Sequence, residues 1–110
     1  MSDKDRYEYI LKHYHELKSE AKLYYGESLT PSQAMVLKKA IYMDLFQIGE
    51  HINKMSESTK SRLDKNDVRG VIDTRNIIGH GYKDVDPEII QDTIEESCPK
   101  LISRLQELFE

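Results

Sequence analysis

Residues 30–55, TPSQAMVLKKAIYMDLFQIGEHINKM, decide the fold. The first four, Thr30-Pro31-Ser32-Gln33, read as a capping box with proline at the first helical position, which fixes where a helix starts. From there Leu37, Ile41, Leu45, Ile48, Ile52 and Met55 recur at spacings of three and four, the period of a helix that buries one stripe. The stripe predicts a helix ending near Ser56. Gly49, inside it, costs about 1 kcal/mol relative to alanine and marks a close helix crossing.

The same period extends outward in both directions. Upstream, Tyr7, Ile10, Leu11, Tyr14, Leu17, Ala21 and Tyr24 predict a helix over about residues 3–25, closed by Gly26 as a left-handed C-cap. Downstream, residues 57–65 are polar and predict a short helical turn or loop. Val68, Val71, Ile72 and Ile78 then predict a helix over about 66–78, with Gly79 and Gly81 stopping it. Asp86-Pro87 opens the last helix, whose stripe is Ile90, Ile94, Cys98, Leu101, Leu105 and Leu108. Pro99 interrupts that run and should kink it or replace one hydrogen bond by a solvent contact. No alternating strand pattern of useful length occurs. The expected fold is all-α, an antiparallel up-and-down bundle of four main helices with a short extra helical turn.

A chain of 110 residues implies one core and a single domain over 1–110. With 38% hydrophobic and 33% charged residues it is too apolar to be disordered and too charged to sit in a membrane. No apolar run approaches the ~20 residues of a membrane span, and the opening MSDKDRYEYI has no apolar signal core. The expected location is cytoplasmic, with no membrane contact. Cys98, the single cysteine, excludes an internal disulfide and a cysteine-based zinc site, and should be a small packed residue. The net charge of −4 excludes a nucleic-acid-binding field over the whole surface. Residues 60–83 are the exception, with six basic side chains against three acidic ones, so an anionic ligand belongs there.

Within that stretch lies Thr74-Arg75-Asn76-Ile77-Ile78-Gly79-His80-Gly81-Tyr82. On a regular helix Arg75 and His80 would stand about 140° apart. If Gly79 and Gly81 let the backbone leave the helix, His80 can turn back towards Arg75, with Asn76 one turn before it. Guanidinium, amide, imidazole and phenol then meet at a helix end. Arginine grips phosphate through a planar fork, and histidine exchanges a proton near neutral pH. RNA carries its own nucleophile, the 2′-hydroxyl, so no metal or organic cofactor is needed, and the expected product is a 2′,3′-cyclic phosphate. One histidine per chain is too few for both an acid and a base; a two-fold dimer supplies two. The spacing also fits a plain helix cap, with Arg75 pairing with Asp73 or Glu50.

The segment from Arg75 to Tyr82 resembles the Arg-x4-His-x-Tyr motif of the HEPN superfamily, and its setting is similar to the HepT-like branch. Ile48-Gly49-Glu50, Val85-Asp86 and the closing amphipathic helix extend the likeness. The resemblance implies a homodimeric helical bundle and a metal-independent endoribonuclease, the toxin of a toxin–antitoxin pair. It makes His80 the catalytic acid or base, Arg75 the phosphate-binding group and Asn76 a polar orienter. Tyr82 matches the tyrosine to which an MNT-type nucleotidyltransferase antitoxin adds AMP in that branch. Bulk and negative charge would then stand where substrate phosphate must sit. The alternative within the superfamily is a non-catalytic adaptor that holds RNA, a nucleotide or a protein.

Glu50, at the edge of the second helix's stripe, should meet Arg75 across the bundle and hold its guanidinium. His13 and His15 lie about 200° apart on one helix and cannot chelate one ion together. No paired Glu-x-x-His motif occurs, so no metal is expected.

Overall fold

Ser2 and Asp5 cap each other reciprocally at the start of α1 (Asp3–Gly26), and Thr30 and Gln33 do the same for α2 (Pro31–Asn53). These are the reciprocal side-chain bonds that satisfy free amides at a helix N-terminus. The computed structural model describes residues 1–81 and 85–110. A short α3 (Glu57–Lys60) leads into α4 (Lys65–His80), whose first amides are capped by Asp64. The last rod is continuous: α5 (Pro87–Asp92), a wide π turn (Thr93–Ser97) and α6 (Cys98–Phe109). Among the described residues there is no strand, and no helix is long and apolar enough to cross a membrane.

Contacts between rods establish their directions. Asp3, at the start of α1, accepts hydrogen bonds from Ser56 and Thr59 just beyond α2. Gly49 meets Arg75 while Phe46 meets Gly79, so α2 and α4 are antiparallel. Gly70 abuts Ser97 and the buried Thr74 hydroxyl lies 2.8 Å from that of Thr93, which makes α4 antiparallel to the last rod. Tyr7 stacks on Phe109 at 5.5 Å and donates to Glu110, which closes the ring of four. The architecture is the all-α antiparallel bundle with a short extra helix that the apolar stripes predict. Among the described residues nineteen buried apolar side chains form its core, from Tyr7 and Ile10 through Ile41, Ile48 and Ile52 to Leu105.

Three local expectations are corrected. Gly26 is the last residue of α1 and has no positive φ; the cap is the extended Glu27. Gly79 does not stop α4, which continues to His80 and ends at Gly81 with φ 134°. A Cβ on Gly79 would stand 3.3 Å from the Phe46 ring, so this glycine admits an aromatic neighbour rather than a bend. Around Pro99, the lost hydrogen bond takes the form of the π turn: the Cys98 amide reaches five residues back to Thr93, and the rod runs on.

Candidate functional site

Arg75 is held on three sides. Its Nη2 donates to both carboxylate oxygens of Glu50 at 3.2 Å, and its Nη1 donates to Asn76 Oδ1 at 3.1 Å. Its guanidinium carbon lies 4.8 Å above the Phe46 ring, within cation–π range. Of the two acidic partners the sequence leaves open, Glu50 holds it. Both side chains are partly buried, at 28% and 22% exposure, so the pair is screened less than a surface pair.

Gly49 makes this grip possible. A Cβ there would fall 2.5 Å from Arg75 Cβ and 2.8 Å from the Val71 carbonyl oxygen, so only glycine lets α4 come this close. The close crossing expected at Gly49 is present, and the next residue is the one that binds Arg75.

His80 lies in the last turn of α4 and is exposed, as is Asn76 one turn earlier on the same face. Because the helix continues through Gly79, His80 does not fold back over Arg75. The long arginine side chain runs along α4, its Nη1 reaching to 3.8 Å from where a Cβ on Gly79, the residue before His80, would be. Beside His80 opens a cavity of about 450 Å³ walled by Met43, Phe46, Gln47 and Ile78. Phe46 and Met43 are the site residues the sequence reading missed. Phe46 precedes Glu50 by one helical turn, and that spacing was the available signal. Tyr82 lies outside the described residues.

The cationic stretch divides. Lys60, Lys65 and Arg69 border a separate groove of about 530 Å³ together with Glu57 and Asp73. Lys65 is roughly 15 Å along α4 from Arg75. Lys60 is paired with Glu57 at 3.0 Å.

The sequence model of the family described as "Ribonuclease HepT-like" matches residues 10–108. The chain belongs to the HepT-like ribonuclease family. No curated protein and no solved structure gives a significant match. The part of this HepT-like chain that matches runs from α1 to the last turn of α6, and so contains Glu50, Arg75, Asn76 and His80.

The HepT-like bundle also buries a polar group on its other side, between α1 and α2. Asp44 is 3% exposed, and His13 Nδ1 lies 2.9 Å from its Oδ1. Glu20 stands next to it. Burial, reinforced by the Asp44 and Glu16 carboxylates, pushes the Glu20 carboxyl up to about 8. Nothing in the sequence reading singled out Asp44, although it interrupts the apolar stripe between Ile41 and Ile48.

Proposed function

We propose that this protein is a metal-independent endoribonuclease acting as the toxin of a toxin–antitoxin pair. The observation that carries the reading is Arg75, held by Glu50 and lying on Phe46 of α2, in the last two turns of α4 that also carry exposed Asn76 and His80, in a chain of the HepT-like ribonuclease family.

In this mechanism Arg75 binds the scissile phosphate. Glu50 and Asn76 occupy part of its guanidinium, and the free Nη1 N–H is available to a phosphate oxygen, where it counters the charge that grows as the 2′-oxygen attacks phosphorus. His80 transfers the proton, either from the 2′-hydroxyl or to the departing 5′-oxygen. The phosphorus–5′-oxygen bond breaks, leaving a 2′,3′-cyclic phosphate and a 5′-hydroxyl. The second proton transfer belongs to His80 of a symmetry-related chain. Support for a homodimer comes from Met43, an exposed apolar side chain on the wall of the cavity beside His80, a place where a partner would bury it.

Regulation falls to an MNT-type nucleotidyltransferase antitoxin. The Tyr82 oxygen attacks the α-phosphorus of ATP, pyrophosphate leaves, and the added AMP blocks the phosphate site. The resemblance of the Arg75–Tyr82 motif to the AMP-accepting branch supports this step.

The test is cleavage of RNA by purified protein in EDTA. Wild type should cut, His80→Ala should bind RNA without cutting, Arg75→Ala should bind more weakly and not cut, and both variants should keep their helical circular dichroism. Binding without scission by the wild type would favour an adaptor instead.

A further inference from the structure

We propose that the small cavity where the end of α1 meets α2 and α5 holds one base of the RNA, next to the phosphate that Arg75 binds, and so selects the sequence that is cut. The assignment rests on the proposed nuclease function and names how its substrate is chosen.

The cavity measures about 210 Å³ and has Tyr24 and Tyr25 of α1, Lys38 and Tyr42 of α2, and Ile90 and Gln91 of α5 in its walls. Sites for drug-sized ligands usually reach about 300–1,000 Å³, so this one suits a single ring system. Tyr42 is also a wall of the cavity beside His80, and the two cavities adjoin across that one side chain. Along α2, Lys38, Tyr42, Phe46 and Glu50 recur every four residues on one face. Glu50 grips Arg75, Phe46 lies under its guanidinium, and Tyr42 follows about 6 Å further along the helix axis. A strand whose phosphate sits on Arg75 therefore brings a neighbouring base to Tyr42.

The walls carry the chemistry that reads a base. Unpaired RNA bases are recognised by stacking on aromatic rings and by hydrogen bonds to their edges. Tyr24 and Tyr25 meet edge to face with centroids 5.0 Å apart, and the Lys38 ammonium lies 5.7 Å from the centre of the Tyr42 ring. Among the described residues neither the Tyr24 nor the Tyr25 hydroxyl has a hydrogen-bond partner. Gln91 donates through Nε2 to Glu95 at 3.1 Å, which leaves its amide oxygen open as an acceptor. Burial, followed by the nearby Tyr24, Glu95 and Tyr42, raises the Tyr25 phenol above its usual 10.0, so at neutral pH it is an O–H donor. Rings, donors and an acceptor thus surround one small cavity, and exposed Lys38 adds a cation for the strand's backbone.

Trinucleotides of a single base, A, C, G or U, with 2′-fluoro sugars that cannot be cut, test the proposal by calorimetry on the full chain. For wild type the four affinities should span at least about fivefold, the worth of one well-stacked base. Tyr25→Ala, at an exposed position, should bring all four down to the weakest and keep the helical circular dichroism. Tyr9→Ala, as exposed as Tyr25 but outside both cavities, should keep the wild-type ranking. Equal affinities in the wild type, or the same ranking in Tyr25→Ala, would overturn the assignment. Free nucleoside monophosphates competing as well as the trinucleotides would overturn it in favour of a nucleotide site. RNA cleavage in EDTA without a base ranking defeats this inference alone, whereas a ranking without cleavage defeats the nuclease reading alone.

Discussion

Gly49 and Arg75 are in backbone-to-side-chain contact: any β-carbon on Gly49 would be driven to 2.5 Å from Arg75 Cβ. One missing methyl group therefore sets how closely α2 and α4 approach, and with it whether Glu50 can reach the guanidinium. Stability and the proposed chemistry meet at this crossing.

Gly49→Ala should consequently do two things. Overpacking at a helix crossing costs about 1–3 kcal/mol, and moving Arg75 off Glu50 should abolish cleavage. Gly26→Ala is the contrast: nothing lies within 4 Å of the added carbon and its φ is not positive, so the variant should be as stable as wild type or slightly more so. Thermal unfolding of the two variants, compared with RNA cleavage, checks both.

Glu50→Gln keeps the shape of the side chain and removes its charge. The guanidinium loses its anchor, and a misplacement of about 1 Å costs up to about a hundredfold in rate. The expected result is a fall in kcat with KM for RNA and the helical spectrum little changed. A variant as fast as wild type would show that the ion pair does not position Arg75.

The helical spans were legible because capping residues and apolar stripes are local signals: Thr30 and Gln33 cap each other, and Ile41, Leu45, Ile48 and Ile52 are all buried. The Glu50–Arg75 pair was legible for the same reason, one partner sitting at the edge of a stripe and the other near a helix end. The behaviour of Gly79 was not. Its neighbours in sequence suggest a break, whereas its neighbour in space, Phe46, packs closely against it within a continuing helix. Asp44 was missed because a carboxylate in an apolar stripe is informative only once its facing residues, His13 and Glu20, are known.

Cys98 is 1% exposed, and burial pushes its thiol up to about 12. Desolvation disfavours the thiolate, which is the reactive form. At about pH 8 a thiol-alkylating reagent should leave the folded chain unmodified and add once per chain after denaturation, both visible by intact mass. Modification of the native chain would contradict the packing of α6.

Hydrogen bonds from Ser56 and Thr59 hold the Asp3 carboxyl below its usual 3.8. A depressed folded-state value means the ionised form contributes stability above the unfolded pKa and loses it as pH falls through the folded one. The unfolding midpoint of wild type should exceed that of Asp3→Ala at about pH 6, and the gap should shrink below about pH 4. A gap that is constant or widens in acid would rule out this tie between α1 and the turn after α2.

The most direct measurement is the chemical identity of the ends left on RNA cut in EDTA, read by mass spectrometry for wild type and His80→Ala. The predicted result is 2′,3′-cyclic phosphate and 5′-hydroxyl ends from the wild type and no cut ends from His80→Ala. Cleavage that requires added magnesium and leaves 5′-phosphates, or equal cleavage by His80→Ala, would contradict it.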